Sequence, residues 1–133
     1  MRTHLEFRSA AFPALPEENE TVNPGRFGKR LAEFLAAGLP GQGIAVTGFS
    51  PEDWGWRIDL ANAGYPLWIG CGNYDEYEDG FLCFIDPSKP FIRKFLTKVS
   101  TVETVERVAA AMQAIFESSG KVREMRWWAA GEA

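Results

Sequence analysis

Trp54-Gly55-Trp56-Arg57-Ile58-Asp59-Leu60, Pro66-Leu67-Trp68-Ile69-Gly70-Cys71-Gly72 and Phe81-Leu82-Cys83-Phe84-Ile85-Asp86-Pro87 are the runs whose mutual register decides the fold. The first alternates large apolar with polar residues at period two, the pattern of a half-buried β-strand. Set side by side as antiparallel neighbours, they bring Leu60 opposite Leu67, Ile58 opposite Ile69 and Trp56 opposite Cys71. The next pairing sets Cys71 opposite Cys83 and Ile69 opposite Ile85. One face then carries Trp56, Ile58, Leu60, Leu67, Ile69, Cys71, Cys83 and Ile85 and is wholly apolar. A slip of one residue would scatter that set over both faces, so burial specifies the pairing. The opposite face receives Arg57, Asp59, Trp68, Gly70, Gly72, Leu82, Phe84 and Asp86, a mixture suited to partial exposure.

Outward from this centre the flanks supply a further layer. Residues 3–8 read as a first strand with Leu5 and Phe7 on one side, and residues 12–20 read as a polar, turn-rich loop. A helix is predicted over 24–37, with Asn23 as N-cap, Pro24 in the first turn and a stripe of Phe27, Leu31, Phe34 and Leu35. Gly38 is placed to close it. A strand over 43–50 puts Ile44 and Val46 on one face, while 91–98 is ambiguous between a helical turn and a loop. Ser100-Thr101-Val102-Glu103 has the form of a capping box and opens a helix over 101–118, ended by Gly120. Its stripe is Val102, Val105, Val108 or Ala109, Met112, Ile115 and Phe116. Residues 122–128 read as a last strand with Trp127 and Trp128 on opposite faces, and 129–133 as a frayed tail. The expectation is a single α+β domain over 1–133, with 1–23 partly irregular. Its two layers are an antiparallel meander sheet of about five or six strands and two main helices on one face.

Composition narrows the function classes. The formal charge is −4, and no Lys/Arg cluster interleaves with the aromatics, so nothing supplies the basic footprint that nucleic acid requires. No apolar run approaches the ~20 residues needed to span a bilayer, and the N-terminus lacks the apolar core of a signal peptide. A cytoplasmic protein with no nucleic-acid and no membrane partner is therefore expected. Cys71 and Cys83 fit no metal spacing and are expected to be reduced, buried, apolar groups. No cofactor is implied. The 14% aromatic content is high enough to leave some rings for a recognition surface.

Leu31-Ala-Glu-Phe-Leu35, Pro51-Glu-Asp-Trp-Gly-Trp56, Leu67-Trp-Ile-Gly-Cys71, Phe91-Ile-Arg-Lys-Phe95 and Arg126-Trp-Trp128 together resemble a group of small, mostly bacterial proteins of unknown function. The resemblance spans residues 24–128, and its specific part is Glu52-Asp53-Trp54-Gly55-Trp56. It implies a fold and no catalytic residues. Some small acidic α+β proteins of bacteria are immunity proteins that neutralise toxins, an analogy at the level of fold.

Candidate chemistry is thin. Asp75, Asp79, Gly80 and Asp86 match positions 1, 5, 6 and 12 of a calcium-binding loop, but Tyr77 occupies position 3 and no bidentate Glu closes the loop. A solvated acidic hairpin tip of Asp75, Glu76, Glu78 and Asp79, available to a basic partner, is the better reading, and no metal site is assigned. Asp59 and Asp86 flank Trp68 on the mixed face, about 10 Å apart by strand spacing. Inverting glycosidases hold paired carboxylates at about 6.5–9.5 Å, which makes these two the candidates for an alternative, hydrolytic reading. Glu52 and Asp53 precede Trp54, where Asp53 is expected to accept a backbone hydrogen bond in the turn. The lone His4 has no recognisable nucleophile beside it in sequence. The residues expected to bind are Glu52, Asp53, Trp54, Arg57, Trp68, Asp75, Glu76, Glu78, Asp79 and Phe84. They suit a non-enzymatic module that meets another protein, immunity- or antitoxin-like in its sharpest form. The mixed face covered by a second copy of the chain is a third possibility.

Overall fold

The computed structural model describes residues 1–130, so the expected fraying of 131–133 lies outside the described residues. Eight strands form: β1 (His4–Arg8), β2 (Val46–Glu52), β3 (Gly55–Leu60), β4 (Leu67–Asn73), β5 (Gly80–Asp86), β6 (Phe91–Lys94), β7 (Thr97–Ser100) and β8 (Arg123–Trp128). Three helices accompany them: α1 (Glu18–Thr21), α2 (Lys29–Gly38) and α3 (Val102–Ser119). Six strands make one antiparallel sheet in the order β2-β3-β4-β5-β1-β8, while among the described residues β6 and β7 pair only with each other. The sheet is thus a four-strand meander extended by the N-terminal and C-terminal strands.

The register at its centre is the one that burial demands. Leu60 faces Leu67, Ile58 faces Ile69, Trp56 faces Cys71, Cys71 faces Cys83 and Ile69 faces Ile85. All eight side chains of the apolar face are buried. They pack with Leu5 and Phe7 of β1, Leu31, Ala32 and Leu35 of α2, and Val105, Val108, Met112 and Phe116 of α3, in one contiguous core. The α+β class and the two-layer arrangement follow. Val102 is the exception in the α3 stripe: it stands at the helix start and is exposed.

The start of α2 and the cap of α3 differ from expectation, each for a tertiary reason. Asn23 and Pro24 lie in a turn, with the Asn23 N–H donating to the Asp53 carbonyl and the Arg26 N–H donating to the Asn23 carbonyl. The helix begins at Lys29, and its cap comes from a different element. Glu18, in α1, is 1% exposed. Its Oε2 accepts from the backbone N–H groups of Gly28 (2.9 Å) and Lys29 (3.2 Å) and from the Trp56 indole (3.0 Å), while Oε1 accepts from Leu15 N–H. This carboxylate satisfies free donors at the positive end of α2 and ties that end to the sheet. The segment 12–20 is the irregular, largely exposed stretch expected up to the start of α1, but it buries Phe12 and Glu18.

At α3 the N-cap is Thr101, and no capping box forms. The Thr101 hydroxyl donates to the Lys89 carbonyl and its N–H donates to the Pro90 carbonyl, 2.9 Å away. This buried threonine closes the base of the β6–β7 hairpin, which replaces the helical turn or loop considered for 91–98. The second strand also starts later than expected, at Val46, with a bulge between Val46 and Gly48.

Candidate functional site

Two glycines of β4 shape the outer face of the sheet. Strand register places Asp59, Trp68 and Asp86 in one cross-strand row and Arg57, Gly70, Phe84, His4 and Trp128 in the next. A third row runs through Gly72, Leu82, Glu6 and Arg126. Because Gly70 has no side chain, the Phe84 ring lies across it; a Cβ there would come within 2.3 Å of that ring and 2.7 Å of the Trp54 indole.

Trp54 reaches this position from the β2–β3 turn. Gly55 makes the turn possible, since its φ of 155° is outside the ordinary range for other residues and a Cβ would meet the Cys71 carbonyl at 2.3 Å. Trp54 stacks on Trp68 at 6.1 Å between ring centroids and tilts against Phe84 at 5.0 Å. Phe84 meets Trp68 edge-on at 5.5 Å. The series continues through His4, stacked on Phe84 at 5.9 Å and on Trp128 at 5.6 Å. Partial burial lowers the His4 pKa from its ordinary 6.5, which favours the uncharged ring between its aromatic neighbours. Guanidinium groups cover both ends of the row, Arg57 at 4.3 Å from the Trp68 centroid and Arg126 at 4.7 Å from that of Trp128.

Beside this aromatic row is a cavity of about 400 Å³, walled by Trp54, Leu82 and Phe84 over Gly72 and rimmed by Tyr74 and Asp75. Asp59 and Asp86 are not among its walls. They share the expected row with Trp68, but the Arg57 Nε donates to Asp59 Oδ1 at 2.8 Å. One of the two carboxylates is therefore committed to an arginine that is itself stacked on the tryptophan.

The acidic loop is less free than a solvated tip. Asp79 accepts from Arg8 Nε at 2.8 Å and pairs with Arg123, and the Arg8 hydrogen bond, followed by that of Arg123, holds its carboxyl below the usual carboxylate range. Asp75 pairs with Arg26 at 2.9 Å. Glu76 and Glu78 are exposed and make no ion pair among the described residues. Among the described residues no cluster of three or more His, Cys, Asp or Glu side chains converges as a metal site. Glu52 is half-buried in β2 and Asp53 is exposed, with its carbonyl, rather than its side chain, serving as the acceptor in the turn.

The structure therefore brings Trp54, Arg57, Trp68 and Phe84 together and puts Asp75 at their margin, while Glu52 and Asp53 lie on the strand and turn leading into the group. Sequence reasoning passed over His4, Asn73, Tyr74 and Arg26 as parts of this surface. The signal for a cavity was the Trp68-x-Gly70-x-Gly72 alternation, which leaves bare backbone under neighbouring rings. Trp127 turns to the core side, where its indole donates to Gln113 at 2.7 Å, and Trp128 to the outer row, the opposite faces expected, and both are half-buried. Cys71 and Cys83 are free, buried and 3.7 Å apart at sulfur; burial, with the neighbouring thiol, pushes Cys83 well above its ordinary range. Among the described residues no helix is long and apolar enough to cross a membrane. No family model, curated protein or solved structure matches the chain.

Proposed function

We propose that this protein is a non-catalytic recognition module whose outer sheet face receives another polypeptide. The observation that carries this reading is the half-buried aromatic row of Trp54, Trp68, Phe84, His4 and Trp128 beside a mainly apolar cavity. Rings held in place by glycines and by one another lose little freedom on binding, which is why such groups anchor protein interfaces. The exposed Glu76 and Glu78, in the loop that also carries the rim pair Asp75–Arg26, supply charge for orientation, and the cavity has room for one or two large apolar side chains. A toxin-neutralising role of the immunity type is the narrowest form of this reading, and the acidic balance of the chain supports it.

A hydrolytic role for Asp59 and Asp86 has weaker support, because Arg57 engages Asp59 and the cavity opens beside other residues. The test is capture of partners from the native host on immobilised chain, in parallel with Trp54→Ala and Phe84→Ala variants of unchanged circular dichroism. A partner held by the parent and lost by both variants is expected. Capture indifferent to both substitutions would refute the assignment of this face.

A further inference from the structure

The β6–β7 hairpin is built against its own stability. Among the described residues it pairs with no other strand, and an isolated two-stranded hairpin is marginal in water. Arg93 stands directly opposite Lys98, a like-charge cross-strand pair that weakens it further. Its two-residue turn is Phe95-Leu96, and Phe95 holds a φ of 57°, a conformation that glycine or asparagine adopts at less cost. Phe95 is 97% and Leu96 99% exposed, so the two bulkiest groups of the turn cover nothing among the described residues of their own chain. Residues 88–100 carry four cations, Lys89, Arg93, Lys94 and Lys98, and no carboxylate. The rest of the chain therefore carries a formal −8 against the whole-chain −4. None of these cations makes an ion pair among the described residues.

Both halves of a contact are thus present in one molecule. The arm offers two apolar side chains flanked by positive charge; the outer face offers an apolar cavity of about 400 Å³ whose rim charges, Asp75 and Arg26, pair with each other, and the unpaired Glu76 and Glu78 in the loop beside it. We infer that the partner at this face is a second copy of the chain, and that two protomers exchange hairpins so that Phe95 and Leu96 of each enter the cavity walled by Trp54, Leu82 and Phe84 of the other. This rests on the reading of the outer face given above and names its occupant. Reciprocal exchange is the closed, two-fold form of such a contact. Four apolar side chains and the surface that receives them bury roughly 1,200 Å², the lower end of a specific interface. The charge distribution favours the same arrangement, because each basic arm then lies on an acidic body rather than two acidic bodies facing one another.

The experiment is sedimentation equilibrium with light scattering on the full chain at tens of micromolar, beside a Phe95→Ser/Leu96→Ser double variant and a Trp54→Ala/Phe84→Ala double variant. Equal mixtures of light and ¹⁵N-labelled chain are also treated with a carbodiimide. A dimer is expected for the parent, weakened at least ~100-fold by either double variant and about tenfold by raising salt from low to high. Carbodiimide links between Lys94 or Lys98 of one isotope and Glu76 or Glu78 of the other are expected, and they disappear in the Phe95→Ser/Leu96→Ser chain. Substitution of exposed tip residues leaves circular dichroism unchanged, so loss of the dimer is not loss of fold.

A parent chain that stays monomeric overturns the inference, and so does a dimer indifferent to the tip. A dimer that needs Phe95 and Leu96 but survives loss of Trp54 and Phe84 also overturns it, since the arm then docks elsewhere. A monomer that sediments with phosphatidylserine vesicles in a tip-dependent way overturns it in favour of a lipid surface. If the chain is monomeric yet host-partner capture depends on Trp54 and Phe84, the exchange fails while the recognition face stands.

Discussion

The two faces of the six-stranded sheet are made by the same strands and solve opposite problems. On the inner face Ile58, Ile69 and Ile85 stand in line with no exposure, sealed by α2 and α3. On the outer face the alternate residues Arg57, Trp68, Gly70 and Phe84 are covered by rings leaning over glycines, with Trp54 folded across them from the β2–β3 turn. The inner face is closed by shape-filling aliphatic side chains and fixes register. The outer face is closed incompletely, and what remains open is concave and aromatic. Stability and, on the function proposed above, recognition fall to alternate residues of one strand, and substitutions one position apart in β4 should separate them.

The largest effect is expected away from the strands, at the carboxylate that pins α2 to the inner face. Glu18→Ala leaves the N–H groups of Gly28 and Lys29 and the Trp56 indole without their acceptor. Denaturant unfolding should show a loss of about 4 kcal/mol. Ile69→Ala, on the inner face of β4, should cost about 3 kcal/mol by the same measurement. One residue on, Gly70→Ala drives a methyl group into the Phe84 and Trp54 rings, and about 2 kcal/mol is expected together with a shift in tryptophan emission as the cluster opens. Phe84→Ala should cost less, about 1 kcal/mol, because the ring is half-exposed, while abolishing capture of partners. A stability loss at Phe84 as large as that at Ile69 would erase the distinction between the faces.

The smallest effect expected is a pH dependence. The folded chain holds His4 below its ordinary pKa of 6.5, so it binds fewer protons there than the unfolded chain. The contribution of a neutral His4 is present above that value and is lost as pH falls through it. Thermal melts between about pH 7 and pH 5 should show a falling midpoint that His4→Phe flattens.

How much of this was legible in the sequence follows from the same contrast. The register of β3, β4 and β5 was readable because a wholly apolar face admits one solution, and the α3 stripe was readable for the same reason. The start of α2 was not, because its cap, Glu18, lies ten residues away in sequence; α3 begins within one residue of its expected start, but the Thr101 hydroxyl serves the hairpin rather than capping the helix. The sequence places Arg57, Trp68 and Phe84 on the outer face, as the structure does, but gives Trp54 the strand parity of the apolar residues. Their contacts depend on Trp54 folding back over Gly70, which no local pattern encodes. Phe91 to Ser100 escaped assignment because a hairpin with cations paired across it and a phenylalanine in a left-handed turn violates the usual signals for that structure.

Thr101 has a consequence for how this chain can vary. By gripping Lys89 and Pro90 at the threshold of α3, it brings the two ends of the intervening stretch together independently of whatever lies between them. The ten residues from Phe91 to Ser100 are in that sense a cassette on a clasp. Another sequence, or a bare turn, can be spliced in there while the scaffold beneath goes on folding as before, leaving selection free to rewrite the tip.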